Sequence, residues 1–146
     1  RGRSAALNIV ITETGAGKAV GQVLPELLGK LTANAVRVPT PNVSLAIMSL
    51  ELANEVTVDS INNFLRQKAF HSDLKEQIGF TNSPEVVSTD FVSDSHAGIV
   101  DSVATIVNGN NKAIAIPELN PGNAPIKTPT IVDPKIRRNR LIVLLL

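Results

Sequence analysis

The sequence predicts an α+β fold, a mostly antiparallel sheet with helices on one face. The chain has 146 residues, which suits one domain with a buried core. Two segments show helical spacing of apolar residues, and several short apolar runs are typical of strands. Short turns join neighbouring strands, and they favour antiparallel pairing because a parallel crossover needs a dozen residues or more. The core must be largely aliphatic, since 43% of residues are hydrophobic but only 3% are aromatic.

The first part of the chain predicts a strand, a helix and two further strands. Residues 7–12 form a short apolar run, and Thr14 is a candidate N-cap for the helix that follows. Pro25 should end or kink this helix, because its ring clashes with the preceding turn. Strands are expected at residues 33–38 and 43–52.

The second part predicts a helix followed by three strands. Thr57 is a second candidate N-cap, and the helix after it has an apolar stripe made of Val58, Ile61, Leu65 and Ala69. Residues 72–77 predict a short extra helix that Gly79 stops. The strands are expected at 86–91, 98–107 and 112–116, with a hairpin-type turn at Asn108-Gly109 between the last two.

Composition changes near the end of the chain. Five of the nine prolines lie at or after Pro117. Residues 1–112 carry nine lysines and arginines against eleven acidic residues, whereas residues 113–146 carry five against two. We therefore divide the chain into a folded body, residues 1–116, and a proline-rich tail, residues 117–146. Because proline removes backbone donors, we expect the tail to be extended or disordered.

Several functional classes are disfavoured by composition. The absence of cysteine excludes a disulfide scaffold, a zinc–thiolate site and a thiol nucleophile within these residues. The folded body is not basic, so nucleic-acid binding is not indicated. No apolar stretch reaches the length of a membrane span, and no signal-peptide pattern opens the sequence. His71 and His96 show no metal-ligand spacing, and we expect both to be exposed.

Thr14 and Gly15 are the first candidate site. The stretch Thr14-Gly15-Ala16-Gly17-Lys18 is similar to a phosphate loop, but position 12 is threonine instead of glycine and Ala19 follows the lysine. A helix N-terminus still favours an anion through its free N–H groups and its dipole. The alternative is an ordinary N-cap without a ligand, which spacing alone favours.

Arg37 is the second candidate. It lies between Val36 and Val38 in a predicted strand, so a sheet with one buried face should place it on the other face. Arginine binds phosphate or carboxylate through two parallel hydrogen bonds. A solvated strand arginine without a ligand is the simpler interpretation from the residues alone.

The stretch Arg37-Val38-Pro39-Thr40-Pro41-Asn42-Val43-Ser44 resembles the signature of phosphorylating glyceraldehyde-3-phosphate dehydrogenases. Flanking segments resemble the same family in the same order, at residues 3–9, 14–27, 87–91 and 99–102. The resemblance extends from residue 1 to about residue 114. It implies the later part of the family's catalytic domain, which is a mostly antiparallel sheet with helices on one face.

The resemblance also implies roles for the candidate residues. Thr14 and Gly15 match the residues that bind the attacking inorganic phosphate, and Arg37 matches the arginine that holds the C3 phosphate of the substrate. Residues 1–4 resemble the end of the family's S-loop, which lines the cofactor pocket near a subunit interface. NAD as cofactor, phosphate or a phosphorylated aldehyde as ligand, a homotetramer and a cytoplasmic location are implied for the full enzyme. No metal, membrane or nucleic-acid partner is implied.

The sequence departs from the family at its essential residues. The family's cysteine nucleophile, histidine base and dinucleotide-binding domain have no counterpart here, and the pattern is lost after Ile114. Our first hypothesis is a fragment of an NAD-dependent glyceraldehyde-3-phosphate dehydrogenase that is inactive by itself. The alternatives are a non-catalytic phosphate-binding or assembly module, and a fragment of the related erythrose-4-phosphate dehydrogenase.

Overall fold

A computed structural model describes residues 3–109, 112–119 and 144–145. These residues contain two α-helices, α1 (Ala16–Val23) and α2 (Val58–His71). Their strands are β1 (Val10–Glu13), β2 (Asn34–Arg37), β3 (Ser44–Leu45), β4 (Met48–Glu51), β5 (Ile78–Thr81), β6 (Gly98–Asn108), β7 (Lys112–Leu119) and β8 (Leu144–Leu145). Short 3-10 helices lie at Ala5–Leu7, Pro25–Leu27 and Ser88–Phe91. The predicted α+β class is confirmed.

The strands divide into two sheets where the sequence analysis expected one. The first sheet has the order β1-β2-β8, and the second has the order β3-β7-β6-β5 with β4 also paired to β7. Most pairings are antiparallel, but β5 is parallel to β6 and β2 is parallel to β8. The 16 residues between β5 and β6 provide the long crossover that a parallel pair requires.

The segment from 72 to 91 differs most from the prediction. The expected helix at 72–77 is a series of turns, and Gly79 lies inside β5 instead of stopping a helix. The Ser72 hydroxyl donates to the Lys68 carbonyl oxygen (2.6 Å) and accepts from the Leu74 N–H (3.1 Å), so it replaces helical hydrogen bonds at the end of α2. The expected strand at 86–91 is instead extended chain leading into the 3-10 helix Ser88–Phe91, where the Asp90 carboxylate accepts from the Val87 N–H (2.9 Å).

The predicted strand at 43–52 is divided into β3 and β4. Val43 is buried with a positive φ of 70°, a conformation that β-branched residues rarely adopt. The register Leu45↔Glu118 and Met48↔Ala115 places the gap between β3 and β4 opposite Pro117 on β7. A proline has no N–H to donate, which explains why pairing is interrupted there.

Strand β7 includes Pro117 and ends at Leu119, so the first three residues of the segment defined as the tail belong to the sheet. The proline is accommodated because its missing donor coincides with the gap between β3 and β4. Of the rest of the tail, residues 144–145 form β8, and the other positions after 119 lie outside the described residues.

The predicted end of α1 and the predicted start of α2 are confirmed. Helix α1 ends at Val23, directly before Leu24 and the 3-10 helix that starts at Pro25. At the start of α2, the Thr57 hydroxyl accepts from the Ser60 N–H (3.1 Å), and the Ser60 hydroxyl accepts from the Thr57 N–H (2.9 Å). Neither helix combines the length and the apolarity that crossing a bilayer requires, within the part of the chain that the structure describes.

Four of the buried apolar residues of the described chain belong to two small clusters. Val43, Phe91 and Ile99 make the first cluster, with Val86 packed against it. Ala46 is the centre of the second cluster, which includes Leu31, Ala33, Met48 and Leu50. Helix α2 packs on β5 and β6 and so covers the second sheet next to the first cluster.

Candidate functional site

Thr14 and Gly15 connect β1 to α1. Gly15 is the N-cap residue of α1, and its carbonyl oxygen accepts the first helical hydrogen bond from the Ala19 N–H (2.9 Å). The prediction that Thr14 is the N-cap is therefore wrong by one residue. The half-buried Thr14 hydroxyl instead accepts a hydrogen bond from the N–H of Ala16, the first helical residue (3.2 Å). This bond fixes the turn between the strand and the helix.

The N-terminus of α1 is open in front of Gly15. A Cβ built on Gly15 would have no heavy atom within 4 Å, apart from its chain neighbours. The first N–H groups of a helix have no carbonyl partner inside the helix, and the helix dipole favours negative charge beside them. Because Thr14 uses only the N–H of Ala16, this end of α1 retains donors for an anion.

Arg37 is the last residue of β2 and is exposed. It lies two residues after Ala35 and so on the same face of β2, which contradicts the prediction that Arg37 lies opposite the buried face of the sheet. Ala35 is 0% exposed, so this face is covered at the centre of the sheet and open at its end. Arg37 makes no ion pair with any carboxylate of the described residues, which leaves its guanidinium free to bind an anion.

The two candidate positions lie at opposite ends of the β1–β2 ribbon. Arg37 is paired with Val10 at the start of β1, whereas Thr14 follows the end of β1. Four residues of strand at about 3.3 Å each separate Val10 from Thr14 by about 13 Å. The structure therefore places Thr14 with Gly15 and Arg37 at two separate positions instead of one.

The two histidines differ in environment. His71 ends α2 and is exposed, in agreement with the prediction. His96 is only 32% exposed in its side chain, and its Nδ1 lies 2.7 Å from Oδ1 of Asp94. The same oxygen accepts from the His96 backbone N–H (2.8 Å). Sequence reasoning missed this pair, although an aspartate two residues before a histidine is a recognised turn pattern.

The pKa of Asp94 is lowered from its ordinary value. Partial burial acts to raise this pKa, but the hydrogen bonds from the His96 backbone and ring, with the charge of a protonated ring, outweigh it. A carboxyl group whose folded-state pKa is depressed stabilises the fold above its unfolded-state pKa, about 3.9 for aspartate. That contribution is lost as pH falls through the lower folded-state value.

We expect the Asp94→Asn variant to be less stable than the wild type at pH 6, and the difference to shrink as pH falls from about 5 to 2. Asparagine does not titrate, so it lacks the stabilisation that the wild type loses in this range. Thermal unfolding followed by circular dichroism at several pH values measures the difference. Asp73→Asn, at an exposed turn position, controls for the loss of one carboxylate. A difference that does not change with pH would contradict the prediction.

The described residues do not provide a metal or dinucleotide site. Across 3–109 and 112–114, no group of three histidine or acidic side chains is placed to hold a metal ion. The turn between β1 and α1 lacks the G-x-G-x-x-G pattern, and β1 pairs antiparallel with β2. Dinucleotide sites of this kind require that pattern within a parallel sheet. The turn between β1 and α1 therefore lacks the fingerprint of a dinucleotide site.

Comparison with known proteins identifies relatives for most of the chain. Residues 1–117 match the family model described as glyceraldehyde 3-phosphate dehydrogenase, C-terminal domain. A glyceraldehyde-3-phosphate dehydrogenase-like protein of Pseudomonas aeruginosa is 59% identical over 116 residues, which cover 80% of this chain and 25% of that protein. The glyceraldehyde-3-phosphate dehydrogenase of Priestia megaterium is 48% identical over 111 residues, which cover 76% of this chain and 32% of the enzyme.

The similarity extends to animals. Glyceraldehyde-3-phosphate dehydrogenase 2 of Drosophila melanogaster is 49% identical over 105 residues, covering 72% of this chain and 31% of that protein. The chain thus spans between a quarter and a third of the length of these relatives. The matched residues include both ends of the β1–β2 ribbon, where Thr14, Gly15 and Arg37 lie.

Proposed function

The chain belongs to the C-terminal domain family of glyceraldehyde-3-phosphate dehydrogenases, and on that premise we propose that it supplies the phosphate-binding part of such an enzyme's catalytic domain. The full enzyme is NAD-dependent and couples aldehyde oxidation to phosphorylation in this proposal. The observation that carries it is the placement of Thr14 with Gly15 and of Arg37 at the two ends of one ribbon. That reaction involves two phosphates, one on the substrate and one that attacks.

Each position has a distinct role in the proposal. Arg37 holds the substrate's phosphate through its exposed guanidinium, which forms paired hydrogen bonds with phosphate oxygens. The N-terminus of α1, with Thr14 and Gly15, binds the incoming inorganic phosphate through backbone N–H groups and the helix dipole. A separation of about 13 Å along the ribbon keeps the two anions apart and so limits their mutual repulsion.

The remaining catalytic parts lie outside these 146 residues in the proposal. The chain holds no cysteine, so the thiol that forms the acyl intermediate comes from other residues, as does the NAD site. We place the full enzyme in the cytoplasm, as a homotetramer acting in glycolysis. The chain by itself forms no NADH from NAD, phosphate and a phosphorylated aldehyde in this view, and a rate above background from the purified chain would refute this part.

Inorganic phosphate binding tests the proposed role of Arg37. We expect Arg37→Ala to weaken phosphate affinity about fivefold to tenfold, because one charge-assisted contact of 1–1.5 kcal/mol is lost. Phosphorus NMR titration of the chain at low ionic strength measures the affinity. Arg66→Ala is the matched control, since Arg66 is also exposed but lies on α2, away from the ribbon. Equal affinity of the Arg37→Ala variant and the wild type would remove Arg37 from the site.

A non-catalytic assembly module is the second candidate function, and exposed apolar residues favour it. Large hydrophobic side chains lie exposed on and near β1 and α1, namely Leu7 (83%), Ile9 (70%), Ile11 (65%), Val23 (55%) and Leu28 (65%). Apolar surface of this extent favours association with a partner chain. Sedimentation velocity across a concentration series, with Ile9→Lys as the variant, tests this function. A monomer at every concentration would argue against it.

The alternative of an erythrose-4-phosphate dehydrogenase would use the same two anion-binding positions.

A further inference from the structure

A cleft lies on the opposite sheet from the anion-binding positions. It is an open cleft with a volume of about 390 Å³, lined by the C-terminal end of α2, strand β5 and the loop that leads into β6. Cavities that bind small molecules commonly measure about 300–1,000 Å³. Residues of the cleft play no part in the proposed phosphate function.

One side of the cleft is aromatic. The rings of Phe70 and Phe80 meet edge to face, with centroids 6.3 Å apart and planes inclined by 62°. Phe91 and Ile99 are buried and form the apolar base of the cleft. Phe70 remains 52% exposed at the rim. A planar ring placed here would cover Phe70 and gain an aromatic contact in addition to the apolar area buried.

His96 and Asp94 supply polar groups to the lining of the cleft. Because Oδ1 of Asp94 accepts the bond at Nδ1 of His96, the neutral imidazole carries its proton on Nδ1. Nε2 then has a lone pair and accepts a hydrogen bond. Gly79 makes room for the ring, since a Cβ there would lie 3.4 Å from its Cγ and Nδ1.

The charged side chains that line the cleft favour a neutral ligand. Lys75 and Glu76 also line the cleft, and their charged atoms lie 3.9 Å apart, so these charges offset one another. Asp94 adds one negative charge next to the imidazole of His96. An anionic ligand would be repelled by this arrangement, and a cation would compete with the ring for Asp94.

We propose that this cleft binds a neutral planar aromatic molecule that donates one hydrogen bond from a ring N–H or a hydroxyl to Nε2 of His96. The ring of the ligand lies against Phe70 and Phe80. Indole has the required shape and donor, and serves as the probe. The protein contains no tryptophan and no tyrosine, so the fluorescence of indole is read without a protein background.

A pair of phenylalanine variants tests the aromatic contact. Phe70 and Phe64 are both 52% exposed and both lie on α2, but only Phe70 lines the cleft. We expect Phe70→Ala to weaken indole affinity at least fivefold in a fluorescence titration, and Phe64→Ala to leave it unchanged. Equal effects of the two variants, or no saturable binding of indole by the wild type up to 10 mM (about 2.7 kcal/mol of binding free energy), would overturn the proposal.

A methylated ligand tests the hydrogen bond. 1-Methylindole has the same rings as indole but no N–H. At pH 8, where imidazole is ordinarily neutral, we expect the wild type to prefer indole at least threefold. His96→Ala removes this preference, whereas His71→Ala, outside the cleft, keeps it. Equal binding of both ligands by the wild type, or tighter binding of benzoate than of indole, would overturn the assignment. Far-UV circular dichroism shows that the variants are folded.

Discussion

Replacing Phe91 by alanine is expected to lower the free energy of unfolding by about 3–5 kcal/mol. Phe91 is 8% exposed and lies at the centre of the cluster with Val43, Ile99 and Val86. Truncation removes a large apolar side chain and leaves a cavity, and both effects destabilise the folded state. The segment from 82 to 97 connects β5 to β6. Phe91 is the buried residue of this segment that packs in the cluster.

The expected loss of unfolding free energy is large compared with the total stability of a small domain. Small domains are stable by about 5–15 kcal/mol in total, and the described core consists of two small clusters. Urea unfolding followed by far-UV circular dichroism measures the change, since the chain has no tryptophan for fluorescence. Phe64→Ala removes the same atoms from a side chain that is 52% exposed and should cost less than about 1 kcal/mol. If both variants lost the same stability, Phe91 would not be a core residue.

Sequence predicted the features of the fold that depend on neighbouring residues. The N-cap at Thr57 and the end of α1 before Pro25 involve atoms within a few residues of each other. The β6–β7 turn was found from Asn108-Gly109, and Gly109 has the positive φ (70°) that such turns need. Local chemistry decides each of these features, so a single sequence contains the necessary information.

The pairing of distant strands was not predictable in the same way. The division of 43–52 into two strands depends on Pro117, which lies some 70 residues later in the chain and faces the gap across the sheet. The parallel pairing of β5 with β6 depends on a crossover that was interpreted as a strand. Non-local contacts of this kind are fixed by tertiary packing, which overrides local propensity.

In the candidate site, too, the sequence predicted the local features but not the distances between them. The residue types at Thr14, Gly15 and Arg37 were found from the sequence, because a helix start and a strand arginine are local features. Their separation by about 13 Å followed only from the β1–β2 register. His96 was expected to be exposed, and only its packing beside Gly79 and Ile99 reveals the cleft.

Gly79→Ala is expected to destabilise the fold by about 1–3 kcal/mol. Gly79 pairs with Ile99 in the β5–β6 register, and a Cβ at position 79 would lie 2.9 Å from Cγ1 of Ile99. Ile99 is 6% exposed and held in the Phe91 cluster, so it has little room to move. Overpacking of this kind costs about 1–3 kcal/mol, more than the 0.5–1 kcal/mol that alanine gains over glycine in a strand.

Gly17→Ala is the matched control, and it should stabilise the fold where Gly79→Ala destabilises it. A Cβ at Gly17 in α1 would lie 3.5 Å from Cβ of Ala33 and 3.6 Å from Cβ of Leu31, which are ordinary contacts. Alanine should therefore stabilise this position by about 0.5–1 kcal/mol through its helix propensity. Urea midpoints of the two variants give the comparison directly. If Gly79→Ala were as stable as the wild type, β5 would not approach β6 this closely, and the imidazole of His96 would not need a glycine beside it.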